Sequence, residues 1–94
     1  MRIIIAGAGD LGFHLSKLLV QEEQDIVLID EDQNTLDYAS AHLDVQTLRG
    51  SATSPSTLEE AGIAKADLFI GVTSIQETNI TACIIGKRMG AKKA

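Results

Sequence analysis

The stretch Ile3-Ile4-Ile5-Ala6-Gly7-Ala8-Gly9-Asp10-Leu11-Gly12, followed by Asp25-Ile26-Val27-Leu28-Ile29-Asp30, decides the fold. A bare G-x-G-x-x-G says little. Here it follows an apolar run and opens a segment of helical period (Leu11, Leu15, Leu18, Leu19). An acidic residue then ends the next apolar run at the offset of a ribose partner. Strand, tight turn, helix and strand together form a nucleotide cradle. Gly7 supplies the turn, Gly9 lets the backbone approach a pyrophosphate, and Gly12 lets the helix pack close to the sheet. The helix N-terminus offers phosphates its unpaired N–H groups and the positive end of its dipole. A tight turn that binds nothing is the competing reading, and the strand–turn–helix context weighs against it.

Working outward, apolar runs alternate with helical segments. Strand one spans Arg2–Ala6, helix one Asp10–Gln21 and strand two Ile26–Asp30. Asp32 caps a helix over Gln33–His42, with Leu36, Ala39 and Leu43 on one face. Strand three, Val45–Leu48, alternates apolar and polar residues as an edge strand does. Ser54-Pro55 pairs an N-cap with proline at the first helical position, and Gly62 ends that short helix after Leu58 and Ala61. Strand four, Leu68–Val72, is apolar throughout, as a strand covered on both faces should be. Ser74-Ile75-Gln76-Glu77 reads as a capping box opening a helix that runs to Met89.

This order predicts a Rossmann-like α/β fold, a doubly wound parallel sheet in the order 3-2-1-4. Ligands bind such sheets outside the carboxyl ends of the strands, at the switch point between strands one and four. The Gly7–Gly12 loop, Asp30 with Glu31, Gly50-Ser51-Ala52-Thr53 and Thr73-Ser74 all fall there. Gly90–Ala94 looks like the lead-in to a fifth strand. Residues 1–94 are therefore expected to be one nucleotide-binding domain truncated before its later strands, with strand four left as an exposed apolar edge.

The 94 residues allow one small domain. With 45% hydrophobic and 3% aromatic residues, the core is aliphatic. A net charge of −5 makes nucleic acid and anionic membrane surfaces poor partners. Eight acidic residues and no Lys or Arg lie between Glu22 and Asp44, whereas Lys87, Arg88, Lys92 and Lys93 crowd the end. Both read as solvated faces, Asp30 and Asp32 excepted. The single cysteine, Cys83, excludes an internal disulfide framework and fits a reducing compartment. Met1-Arg2 running into a strand leaves no room for a signal peptide, and no apolar run has the length of a membrane span, so insertion in the membrane is not expected.

Asp30 is placed to accept hydrogen bonds from both ribose hydroxyls and to repel a 2′-phosphate, which favours NAD-type or simple adenine nucleotides over NADP. Glu31 and Asp32 follow it, Asp32 more as a helix cap than as a ligand contact. The Asp10 carboxylate suits the helix dipole but would repel a phosphate if it turned inward. Catalytic groups are scarce. His14 and His42 read as surface or packing histidines, Tyr38 lacks a lysine four residues on, and Cys83 lies on an apolar helix face. No metal-ligand spacing occurs. The last helix is apolar on two sides: Ile80, Cys83 and Ile84 on one, Ala82, Ile85 and Met89 on the other. Self-association that covers Ala82, Ile85 and Met89 is expected.

The residues resemble a family. The first two stretches, with Glu31 and Asp32, are similar to the amino-terminal RCK or KTN domain of Trk-type potassium-uptake regulators. Gly50-Ser51-Ala52-Thr53 resembles that family's glycine–acidic–alanine–threonine loop, and Ala66–Ser74 with Glu77-Thr78-Asn79 resembles its strand-four block. The resemblance implies a non-enzymatic, cytoplasmic gating subunit that binds NAD(H), ATP, ADP or AMP. It works in ring-shaped homo-oligomers docked on a membrane-embedded potassium channel or transporter, and so lies peripheral to the inner membrane. It also implies phosphate around Gly7, Gly9, Asp10, Leu11 and Gly12, ribose on Asp30, adenine beside Ser51, Ala52 and Thr53, and Thr73 and Ser74 across the switch point. Ser51 departs from the family's acidic residue. Two other readings are the cofactor half of an NAD-dependent dehydrogenase and a methyltransferase fragment. The fully spaced glycine loop weakens the latter and the strand-four block the former.

Overall fold

The computed structural model describes residues 1–94. Four parallel strands, β1 (Arg2–Ala6), β2 (Asp25–Asp30), β3 (Gln46–Arg49) and β4 (Leu68–Gly71), form one sheet in the order β3-β2-β1-β4. Between them run α1 (Asp10–Gln21), α2 (Gln33–His42) and α3 (Pro55–Ala61), the last continuing through a 3₁₀ turn at Ile63–Lys65. The helix α4 (Gln76–Arg88) follows β4. The registers Ile5↔Leu28, Ile5↔Ile70 and Leu28↔Thr47 bring the carboxyl ends of all four strands to one side of the domain.

The central strands are buried because both faces are covered. Ile3, Ile5, Ile26 and Leu28 point to the layer containing Leu36 and Ala39 of α2, with Phe13, Leu15 and Leu19 of α1 packed against it. Ile4, Ala6, Val27, Ile29 and Phe69 point the other way, against Leu58 and Ala61 of α3 and Ala82 of α4. Two helix starts follow the sequence rules. Asp32 accepts from the Asn34 amide and Ser54 from the Thr57 amide, and Pro55 occupies the first turn of α3. Gly62, in the left-handed region at φ 88°, ends α3.

Four sequence expectations are corrected. First, α1 does not dock through Leu11 and Leu18, which are 59% and 62% exposed; its buried positions are Gly12 and Ser16. The helix lies so near the sheet that only small residues fit the line of contact, and Ser16 satisfies its hydroxyl on the Gly12 carbonyl at 2.8 Å. Second, α4 begins after Ile75 with no side-chain cap, so Ser74 does not form the expected capping box. Third, Ala82 is completely buried and Ile85 and Met89 pack on the core, whereas Ile80 and Ile84 are the exposed side chains of α4. Ala82 and Gly86 set that choice, since a methyl at Gly86 would come within 2.7 Å of the Phe69 ring. Fourth, β4 is covered less on its faces and more at its edge than expected. Of its residues only Phe69 is buried, and Lys93 forms a parallel bridge to Leu68, its carbonyl accepting the Phe69 amide at 2.9 Å.

Candidate nucleotide site

A cleft of about 260 Å³ opens over the carboxyl ends of the strands. Gly7, Gly9, Ile29, Asp30, Glu31, Gly50, Ser51 and Ala52 line it on the β1–β2–β3 side. Val72, Thr73, Ser74, Ile75 and Thr78 line it from β4 and α4.

The glycine loop is built as its spacing requires. Gly7 sits at φ 114°, a region that side chains disfavour, and a Cβ there would lie 2.6 Å from the Val72 carbonyl oxygen. A Cβ at Gly12 would overlap the Gly7 carbonyl oxygen, so helix and turn touch backbone to backbone. At Gly9 a Cβ would meet nothing within 4 Å, which leaves open space above the loop. Gly9 caps α1 without a side-chain hydrogen bond, and the helical ladder starts with the Phe13 amide donating to the Gly9 carbonyl. The amides of Gly9, Asp10, Leu11 and Gly12 consequently have no partner within the chain, the donor set expected of an anion-binding helix start.

Asp30 ends β2 half-buried. One carboxylate oxygen accepts the Ala8 amide and the other the Asp32 amide, both at 2.9 Å. The carboxylate is thereby oriented by the glycine loop on one side and the start of α2 on the other. Each oxygen keeps a second lone pair for a ligand. Glu31 borders the same end of the cleft, its carbonyl accepting from Arg49 Nε at 3.2 Å. In the β3–α3 loop, Ser51 and Thr53 share a hydroxyl–hydroxyl hydrogen bond of 3.1 Å, and the Thr53 amide donates to Ser51 Oγ at 3.2 Å.

Of the sequence-predicted residues, Gly7, Gly9, Asp30, Glu31, Gly50, Ser51, Ala52, Thr73 and Ser74 line the cleft. Gly12 and Thr53 are not in the lining: Gly12 packs on the Gly7 turn and Thr53 hydrogen-bonds Ser51. Ala8 offers its backbone amide to Asp30, and its side chain is buried. Leu11 is exposed away from the lining. Asp10, whose orientation the sequence left open, is not in the cleft lining; it is exposed and lines a neighbouring groove with Ala8, Gly9, Phe13, His14, Thr35 and Tyr38, which meets the cleft at Gly9. His14 and His42 are exposed, and each hydrogen-bonds through Nδ1 to the carbonyl four residues back at 2.8 Å. Cys83 is half-buried against the core. No cluster of three or more His, Cys, Asp or Glu side chains could hold a metal ion, and no helix is long and apolar enough to cross a membrane.

Sequence reasoning missed Ile29, Val72, Ile75 and Thr78 in the lining, and Asn79 behind it. Lining by Val72, Ile75 and Thr78 depends on how α4 starts, which period alone does not fix. Asn79 gave a signal in its type: a short amide side chain in the first turns of a helix is free to bond the preceding loop.

Comparison with known proteins bears on the family and the fold. The model of the TrkA-N domain family matches residues 3–94. The Trk system potassium uptake protein TrkA of Haemophilus influenzae is 42% identical over 86 residues, covering 92% of this chain. The chain spans 19% of the length of that relative. Among solved structures, the Shewanella denitrificans Kef CTD in its AMP-bound form superposes with a TM-score of 0.78 at 20% identity, over 94% of this chain and 52% of that one. The anaerobillin reductase ChuY of Escherichia coli O157:H7 superposes with a TM-score of 0.73 at 19% identity, over 97% of this chain and 47% of that one.

Proposed function

The chain belongs to the TrkA-N domain family, and from that premise we propose that it senses NAD(H) or another adenine nucleotide, ATP, ADP or AMP, and so regulates a membrane-embedded potassium channel or transporter. One observation carries the reading: an uncapped helix start with four unpaired amides adjoins a cleft bordered by a carboxylate already oriented by backbone donors. The phosphates take the Gly9–Gly12 amides and the positive end of α1. The ribose hydroxyls donate to the free lone pairs of Asp30. Adenine lies beside Glu31 and Gly50–Ala52, and Thr73 and Ser74 close the site from across β1. The role is regulatory rather than catalytic. Asp30 and Glu31 are the titratable side chains that line the cleft, and neither is paired with an acid or base partner there. By the same reading the domain is the first part of a longer cytoplasmic regulator, assembled as a homo-oligomer and held at the inner membrane through its transporter.

Calorimetric titration of the chain with AMP, NAD and NADP tests the assignment. NAD should bind better than NADP, because a 2′-phosphate meets the Asp30 carboxylate. Asp30→Ala should lower NAD affinity ten- to a hundredfold, the loss of charge-assisted hydrogen bonds worth about 1.5–3 kcal/mol. Unchanged affinity in that variant would remove the ribose from Asp30.

A further inference from the structure

Both histidines, the single tyrosine and one of the two phenylalanines of the chain meet at one place, beside the nucleotide cleft but not in it. Phe13 of α1 lies 5.3 Å from Tyr38 of α2 between ring centroids, and His42 stacks on Tyr38 at 4.2 Å. His14 and His42 make T-shaped contacts with Phe13 at 5.8 and 6.3 Å. Phe13 is half-buried against the core, a packing role. Tyr38 is 57% exposed, so packing does not account for it. Next to these rings runs the groove of about 370 Å³ that Asp10, Phe13, His14, Thr35 and Tyr38 line. Its charge is one-sided. The segment Asp10–Asp44, which supplies α1, β2 and α2, carries nine acidic residues and one basic residue, Lys17. The ion pairs of the chain are Arg2–Asp25 and Lys92–Asp67, so Asp10 is an exposed carboxylate without a cation.

We propose that this groove is a docking site for a basic segment of another protein, which lays an arginine side chain on Tyr38 and Phe13 and pairs its guanidinium with Asp10. Charge complementarity names the occupant. An acidic segment would be repelled by the face, and a purely apolar one would leave the Asp10 carboxylate covered and unpaired. An arginine satisfies both parts of the groove, because its plane stacks on an aromatic face while its N–H groups reach a carboxylate. Lysine offers the charge without the plane and fits less well. The neighbouring histidines leave the groove open to such a donor: each spends Nδ1 on the carbonyl four residues back in its own helix. The C-terminal cations of the chain are poor candidates for the occupant, since Lys87 donates to the Ala91 and Lys92 carbonyls and Lys92 pairs with Asp67. The site goes beyond the nucleotide reading and does not depend on it.

The groove carries its own reporters. Tyr38 is the only tyrosine and the chain has no tryptophan, so its emission reads the groove, as do the ring protons of His14 and His42, the only histidines. The probes are three blocked peptides, Gly-Arg-Arg-Gly, Gly-Lys-Lys-Gly and Gly-Glu-Glu-Gly, titrated into the wild-type chain, Asp10→Asn and Tyr38→Leu, with a circular dichroism melt of each variant. The arginine peptide should change Tyr38 emission and shift both histidine ring signals, the lysine peptide should bind more weakly, and the glutamate peptide should do neither. Asp10→Asn, read by emission, and Tyr38→Leu, read by the ring protons, should each weaken the arginine peptide about three- to tenfold at an unchanged melting temperature. Arginine and lysine peptides that bind equally, and lose binding equally as salt rises, would reduce the effect to attraction by the acidic face and overturn the proposal. So would an arginine peptide that leaves the reporters unmoved, or one that binds both variants as it binds wild type. Ring-proton shifts that grow with protein concentration in the absence of peptide would give the groove to a second copy of the chain and overturn the choice of partner.

Discussion

Asp30 performs two tasks with one carboxylate. It presents lone pairs to the cleft, and it ties Ala8 of the glycine loop to the start of α2. Truncating it therefore loosens the loop as well as removing the proposed ribose contact, and affinity alone does not separate the two. The ratio of NAD to NADP affinity does: without the carboxylate the 2′-phosphate is no longer repelled, so Asp30→Ala should bring the two affinities together even if both fall. The glycines separate in a similar way. Gly12→Ala forces a methyl into the Gly7 carbonyl oxygen and should cost about 1–3 kcal/mol of stability in urea unfolding, with loss of nucleotide binding. Gly9→Ala places its methyl in open space, at φ −71° that alanine adopts freely. It should cost less than about 1 kcal/mol of stability, the exchange of one N-cap residue for a poorer one, yet weaken binding because the methyl stands where phosphate would approach. Stability that falls equally in both variants would show that the open space over Gly9 is not a cradle. The Gly7 turn, the open space at Gly9 and the place of Asp30 at the end of β2 were legible because each leaves a fixed spacing. The hold of Asn79 on Thr73 was not legible, because it depends on a contact six residues back rather than on a spacing rule.

At the scale of elements, the strands and helices follow from apolar runs and caps, and their order gives the sheet its sequence 3-2-1-4. What period could not decide was α4. A helix apolar on two sides has no unique inner face, and the choice came from Gly86 and Ala82 fitting under Phe69. The Ser74 capping box failed for a related reason. Thr73 and Asn79 hydrogen-bond each other and take over the turn that Ser74 would have capped. One contact joins three distant elements. Asp67, just before β4, accepts the Arg2 amide at the start of β1 at 2.8 Å and pairs with Lys92 of the C-terminal tail at 3.2 Å. The Arg2 amide, and then the Lys92 ammonium, hold its pKa below the usual carboxylate range. A carboxylate with a lowered folded-state pKa stabilises the fold above its unfolded pKa, and that contribution disappears as pH falls through the folded value. Asp67→Asn should accordingly be less stable than wild type at neutral pH, and the difference should close in urea melts at about pH 2. A difference that persists in acid would assign the effect to shape or hydrogen bonding rather than charge.

For the whole molecule, the expected self-association, if it runs through α4, must use other residues than the sequence suggested. Ala82 is in the core and Ile85 and Met89 are partly buried against it, so a charge at Ile85 would destabilise the domain as well as disturb any contact there. On α4 the exposed large apolar side chains are Ile80 and Ile84, one helical turn apart and 55% and 54% exposed; Leu11 and Leu18 of α1 and Ile75 just before α4 are exposed as well. Ile84 also lines a groove shared with Cys83, Lys87 and Arg88, so an apolar centre lies beside a basic rim. Pairing two copies of α4 about a two-fold axis would set Ile80 and Ile84 against their counterparts, the self-complementary arrangement of the commonest oligomers. The wild-type chain should then scatter light as a dimer at high concentration. Ile84→Asp should scatter as a monomer while keeping the wild-type melting temperature, because its side chain lies outside the core. Ile85→Asp should melt at a clearly lower temperature whatever its mass. A wild-type monomer under those conditions, or a dimer that survives Ile84→Asp, would take the contact off α4. A nucleotide-dependent change in mass would link this surface to the cleft, since α4 begins just after the cleft-lining Ile75 and carries Ile80 and Ile84 in its next turns.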